Sequence, residues 1–198
     1  EQPKLDVLMI GDSVSVRSIP YFQERFPHGA IDAAVNRQIY VGQEVYDSYR
    51  DQGLVGGIVV LALGTNGPAT DGQLDEIVAD VGADKQLWLV NTRSPQDWVS
   101  STNDVLASAA ERYGNVHLID WFGASSGRDE LFDGDGTHLT EEGAHVYVDL
   151  VYDAVADYLP QHADDAAQPT VQTSADLALA EITGAYRSAL DAASRNLL

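Results

Sequence analysis

A hydroxyl, an imidazole and a carboxylate are the groups from which an activated oxygen nucleophile is assembled, and this sequence offers them in two short stretches. Ser13 follows Gly11-Asp12 at the end of the apolar run Val7-Leu8-Met9-Ile10, and Asp135 stands three residues before His138 in Asp135-Gly136-Thr137-His138. Histidine can take the hydroxyl proton on one ring nitrogen while the other donates to the aspartate, which fixes the tautomer and stabilises the imidazolium. Each stretch alone has a plainer use, because Asp12 or Ser13 could cap a helix and Asp135 to His138 could be a capped turn. Occurring together, and with Gly64-Thr65-Asn66 after another apolar run, they argue for chemistry over capping.

These residues need elements that bring them together. Residues 7–10 read as a buried strand cut off by glycine, and 13–26 carry apolar residues at helical spacing. A serine at such a strand-to-helix turn is aimed out of the sheet edge, with helix-terminal N–H groups near a developing oxyanion. Further strands are expected at 30–35, 58–63, 87–90 and 116–119, with helices at 36–50, 71–81, about 98–113 and 140–159. Leu74, Ile77, Val78 and Val81 fall on one helical face, with Thr70 or Asp71 as cap. Alternation of this kind implies βαβ crossovers and a parallel sheet covered on both faces, with ligands bound outside the carboxyl ends of the strands. Ser13, Asn66, Asn91, Arg93 and Asp120 all fall just past strand ends, so one sheet edge is the candidate site. Residues 128–138 are too polar and glycine-rich for regular structure. Pro160 ends the last helix of the first unit, 161–174 read as a linker, and 176–190 carry a helical apolar stripe. The expected organisation is thus a domain over 1–160 and a linker with a C-terminal helix over 161–198.

Bulk composition narrows the function. The 198 residues include 11 Lys and Arg against 31 Asp and Glu, a formal net charge of −20, which repels polyanions and makes nucleic acid or an anionic membrane face a poor partner. No cysteine is present, so thiolate metal sites, disulfides and a cysteine nucleophile are excluded. No run of about 18 apolar residues occurs, and Glu1-Gln2-Pro3-Lys4 is not a signal peptide. A start at Glu1 without an initiator Met fits a processed chain or a domain cut from a longer one. No phosphate-cradling glycine loop and no His-x-x-x-His is found, so neither nucleotide nor metal is implied, and no cofactor is expected.

The ordered set Gly11-Asp12-Ser13-Val14, Gly64-Thr65-Asn66 and Asp135-Gly136-Thr137-His138 resembles the sequence blocks of the SGNH (GDSL-type) hydrolase superfamily, over roughly residues 5–159. The resemblance implies a three-layer α/β/α, flavodoxin-like fold with a five-stranded parallel sheet. It implies Ser13 as nucleophile, His138 as base and Asp135 as the third triad member. It also implies an oxyanion hole made by the Ser13 N–H, the Asn66 side-chain amide and a backbone N–H of the second block. That block departs from the family pattern: where a glycine is usual, the chain reads Asn36-Arg37-Gln38, and by position Arg37 supplies the N–H. The Arg-Gln pair, with Ile119-Asp120-Trp121 and Asn91, looks most like SGNH domains fused behind membrane acyltransferase-3 domains, as in peptidoglycan O-acetyltransferases.

The expected activity is therefore that of a serine esterase or O-acetyltransferase acting on short acyl esters of a cell-wall or cell-surface glycan, with an acyl ester donor and a glycan or water acceptor. The alternative is a carbohydrate-binding or interaction domain that retains the fold without the chemistry. An extracytoplasmic location follows from the resemblance, with membrane contact only through a fused acyltransferase domain outside this chain. Three further residues are candidates for substrate contact. Asp12 either orients the nucleophile turn or takes part in chemistry, Arg93 either holds a substrate carboxylate or pairs with the acidic surface, and Trp121, like Trp98, either offers a sugar platform or packs. His28, His117, His145 and His162 read as surface or core histidines, with His145 and Asp149 a solvated pair.

Overall fold

The computed structural model describes residues 3–162; the expected C-terminal helix and nearly all of the expected linker lie outside them. The chain runs through β1 (Leu5–Gly11), α1 (Ser13–Val16), α2 (Ile19–Arg25), β2 (Ala30–Ala33), α3 (Ile39–Asp51), β3 (Val55–Ala62), α4 (Asp71–Val81) and β4 (Gln86–Val90). It continues through α5 (Val99–Arg112), β5 (Val116–Ile119), α6 (Trp121–Ala124), a 3-10 turn at Asp129–Leu131, α7 (Glu141–Val155) and a second 3-10 turn at Ala156–Tyr158. No helix among the described residues is long and apolar enough to cross a membrane.

All five strands are parallel, in the order β2-β1-β3-β4-β5. Parallel strands are buried on both faces and so read as continuous apolar runs; Val7, Leu8, Met9 and Ile10 are fully buried. Side chains alternate across the sheet. Leu8 and Ile10 join Val59, Leu61, Leu87 and Leu89 in the core that also holds Ile39 and Tyr46 of α3, Leu74 and Ile77 of α4 and Leu106 of α5. Val7, Met9 and Val60 turn to the opposite face, where α2 packs on α7 and α7 on β5. The result is the three-layer arrangement expected. Its order matters for the site: the chain leaves β1 for β2 on one side, then crosses back to β3 on the other, so the tip of β1 lies at the topological switch where a crevice opens.

Local departures from the sequence reading have identifiable causes. The helix expected over 13–26 is two helices, because Pro20 in the first turn of α2 has no N–H for an unbroken ladder and its ring clashes with the preceding turn. The helix expected from Asn36 starts at Ile39, since Asn36 adopts a left-handed conformation with φ 59°. Strand β2 stops at Ala33. The short α6 was not foreseen; Asp120 caps it by accepting the Gly123 N–H at 2.8 Å. Helix α4 begins at a full capping box in which Thr70 and Gln73 satisfy each other's backbone N–H.

Helix α7 closes tightly on the preceding loop. Thr140 donates its N–H to Leu131 O at 3.0 Å and caps α7 through the Gly143 N–H. A Cβ on Gly143 would lie 2.0 Å from Leu131 O, a backbone atom that cannot step aside. Gly143→Ala is expected to destabilise the domain by about 1–3 kcal/mol, measured by urea unfolding.

Candidate active site

Where β1 ends, Asp12 caps α1 by accepting the Val14 N–H on Oδ1 at 3.0 Å. Ser13 is thus the first helical residue, and its N–H is of the kind that a helix ladder leaves unpaired. The turn is tight enough that a Cβ on Gly11 would lie 2.4 Å from Ser15 Oγ. Opposite Ser13 sits the loop before α7. Ser13 Oγ is 3.0 Å from His138 Nε2, and His138 Nδ1 is 2.6 Å from Asp135 Oδ2. The other Asp135 oxygen accepts the backbone N–H groups of Thr137 and His138, each at 2.9 Å. Burial pushes the Asp135 carboxyl up, but the His138 ring and these two N–H groups outweigh it and hold the carboxyl below its ordinary range. An ionised Asp135 fixes a proton on Nδ1 and leaves Nε2 to accept one from Ser13.

The loop is held by its own backbone and by two cations. Asp133 N–H donates to His138 O at 2.7 Å, Gly136 N–H donates to Asp133 O at 2.9 Å, and Phe132 pairs with Leu139 in an antiparallel bridge. Arg17, one turn beyond Ser13, pairs with Asp133 at 3.3 Å. Arg93, past β4, bonds Ser125 O, pairs with Asp129 at 2.7 Å and lies 4.3 Å over the Phe132 ring. Of its two expected roles, the geometry therefore matches pairing with an acid.

Asn66 follows β3, the neighbour of β1. Its Nδ2 donates to Arg37 O at 3.3 Å, which uses one of the amide's two N–H donors. The Arg37 side chain turns back toward Asp32. The loop bearing Asn66 is braced by the Trp98 indole, which donates to Gly64 O at 3.2 Å, and by Thr65 Oγ1 at 2.7 Å from Thr92 Oγ1. Asn103 in turn accepts the Thr92 N–H and donates to Thr92 O, both at 2.9 Å. Sequence reasoning missed Thr65, Thr92 and Asn103, whose partners lie 11 to 27 positions away and leave no periodic signal. Asn91, expected at the site edge, spans β4 and β5, donating to Asp120 and accepting the Phe122 N–H, both at 2.7 Å.

Beside Ser13 the structure holds a small cavity of mixed polar and apolar lining. Asp12 and Trp121 are each only 1% exposed, and both line a cavity of about 10 Å³, the room of one water, with Thr65, Asn91 and Tyr147. Trp121 meets Tyr147 edge-on at 4.9 Å and packs on Phe132 at 5.7 Å; its ring is core packing rather than a sugar platform. Asp12 Oδ2 closes no hydrogen bond of good geometry. Burial pushes the Asp12 carboxyl up to about 6, although the Val14 N–H, the facing Thr65 groups and the His138 charge favour its ionised form. Burial also pushes the Tyr147 hydroxyl up. Of the other histidines, His145 meets Tyr21 at a tilt with ring centroids 3.7 Å apart while Asp149 pairs with Arg25, and His117 stacks on Trp88 at 4.2 Å.

A parallel sheet of this order, with a hydroxyl, an imidazole, a carboxylate and an amide gathered at its switch point, is the α/β arrangement of solved GDSL-type structures, to which the chain is similar in fold. Its relatives include the peptidoglycan O-acetyltransferase OatA of Listeria monocytogenes, 40% identical over 142 residues, covering 72% of this chain and 22% of that protein. The O-acetyltransferase OatA of Staphylococcus aureus is 39% identical over 149 residues, covering 75% and 24%. The chain therefore matches under a quarter of the length of these relatives. Among solved structures, the C-terminal catalytic domain of Streptococcus pneumoniae OatA, with a methylsulfonyl adduct, superposes with a TM-score of 0.71 at 22% identity, covering 81% of this chain and 99% of that one. The lipase/acylhydrolase of Enterococcus faecalis superposes with a TM-score of 0.65 at 16% identity, covering 82% and 100%. At these identities the structures share the fold. No protein-family model matches the chain.

Because the native state binds a proton at Asp12 more readily than the unfolded chain, the contribution of Asp12 to stability falls as pH rises from 3.8 to about 6. Asp12→Asn keeps the acceptor for Val14 and removes the charge. It is expected to raise stability above that window by about 1–3 kcal/mol and to flatten the dependence within it, read by urea unfolding at about pH 4 and about pH 7.5.

Proposed function

We propose that this chain is the catalytic domain of a serine-dependent O-acetyltransferase or esterase that moves acetyl or short acyl groups on a cell-wall glycan outside the cytoplasm. The observation that carries the reading is the continuous relay Ser13–His138–Asp135, at 3.0 and 2.6 Å, at the strand tip beside Asn66. The chemistry follows from it. Ser13 Oγ attacks the ester carbonyl while its proton passes to His138 Nε2, and the imidazolium is stabilised by Asp135. The carbonyl electrons collect on the oxygen, which the Ser13 N–H and the free N–H of the Asn66 amide hold. Collapse expels the leaving alcohol with the proton from His138 and leaves an acyl-serine. An acceptor hydroxyl, of a glycan or of water, then repeats the sequence in reverse with His138 as its base.

The relatives' names supply peptidoglycan as the acceptor class, and the charge of −20 is compatible with a neutral glycan while disfavouring a polyanion. A binding domain without chemistry has no need of an imidazole held between a hydroxyl and an ionised carboxylate.

Hydrolysis of a nitrophenyl acetate is expected to saturate and to be lost in Ser13→Ala and in His138→Ala. Asn66→Ala should lower kcat on the order of 10²-fold. With an acyl donor and a peptidoglycan fragment together, acetylated glycan is expected to accumulate. Free acetate alone would make the chain an esterase, and rates indifferent to Ser13→Ala would overturn the mechanism.

A further inference from the structure

One buried ion pair beside the site has no part in the chemistry above. The side chains of Arg37 and Asp32 are only 9% and 15% exposed, and enclosing such a pair is costly unless both partners are fully bonded. Arg37 Nη2 donates to Asp32 Oδ1 at 2.6 Å, and Nη1 donates to the backbone O of Asp32 at 2.5 Å and to Gly11 O at 3.1 Å. Tyr49 donates its hydroxyl to the other Asp32 oxygen at 3.3 Å. Gly11 ends the nucleophile strand. The carbonyl of the same arginine accepts the Asn66 amide at 3.3 Å. One residue therefore touches β1, β2 and the loop after β3. The geometry has a conformational cost, since Asn36 immediately before it is left-handed at φ 59°, a state that non-glycine residues seldom enter.

We propose that Arg37 is a positioning residue of the oxyanion pocket: its guanidinium fastens the loop after β2 to the last carbonyl of the nucleophile strand, and its own carbonyl orients the Asn66 amide. This rests on the roles given above to Ser13 and Asn66. The separation between the nucleophile turn and the amide is then set by one covalent unit, bonded at one end to Gly11 and at the other to Asn66. A glycine in the second block, the usual family residue, has no side chain to make that link. Lysine cannot replace it, because a single ammonium lacks the planar fork that reaches Asp32 and Gly11 at once.

The test is steady-state hydrolysis of a short acyl ester by the wild type, Arg37→Met, Arg37→Lys, Asn66→Ala and the double variant Arg37→Met/Asn66→Ala, each first checked for cooperative thermal unfolding. Arg37→Met is expected to lower kcat about 10- to 100-fold with KM within about twofold. Arg37→Lys should not restore it. In the Asn66→Ala background the same change should cost less than about threefold, since the group it positions is gone. An unchanged kcat in Arg37→Met, or an equal loss with and without Asn66, would overturn the proposal. If Arg37→Met does not fold, Asp32→Asn, which leaves Arg37 in place but weakens its anchor, carries the same comparison with and without Asn66. Failure of the underlying mechanism has a different signature, a rate that survives Ser13→Ala.

Discussion

The hydrogen bond between Ser13 Oγ and His138 Nε2 joins groups 125 positions apart, and everything of functional interest in the fold serves to keep that one distance. The serine side is simple, because a buried strand, a glycine and a capped first turn fix it locally. The histidine side hangs on a loop, and loops are held only by what they bond. Here the bonds are chiefly backbone ones, within 131–140 and onto the start of α7. The Arg17–Asp133 pair is solvated at both ends and the Arg93–Asp129 pair at its aspartate end, so each adds little alone. Their value is geometric: they tie the loop to the segments just past β1 and β4.

The ground around Ser13 is unusual for a core. Asp12, Ser15, Ser18 and Trp121 all bury polar atoms that close no hydrogen bond within the protein, whereas most buried polar groups in folded proteins are satisfied. Such groups cost stability, and two of them, Asp12 and Ser15, flank Ser13, while Asp47 on α3 and Trp88 on β4 are further cases elsewhere. The Asp12 carboxyl, pushed up to about 6 by burial one residue before Ser13, is the clearest instance. Sites of chemistry are where proteins depart from the rule of satisfied interiors.

The loop after β2 is held to its surroundings by one residue, Arg37. Asn36, just before Arg37, is left-handed at φ 59°. The arginine then bonds Asp32 and Gly11 across two strands. Asn66, on the next strand over, is bonded to the same residue. Two loops that the sequence separates by 29 positions are in this way one structural unit.

Sequence alone determined the sheet, because a parallel strand buried on both faces must be an uninterrupted apolar run, and four of the five runs are unmistakable. It determined the turn at Ser13 and the Asp135–His138 pair, because cap, glycine and i,i+3 spacing are local properties. It also exposed Asn66, by placing it at a strand end. Only the tertiary structure decided what Arg93, Trp121 and Arg37 do. A side chain at a strand end reads the same whether it faces a ligand, a loop or the core, and which it meets depends on segments tens of residues away. Arg93 meets Asp129, Trp121 meets Tyr147, and Arg37 meets Gly11. The break at Pro20 and the late start of α3 belong between these cases: their causes are written in Pro20 and Asn36, but helical periodicity runs through both and hides them.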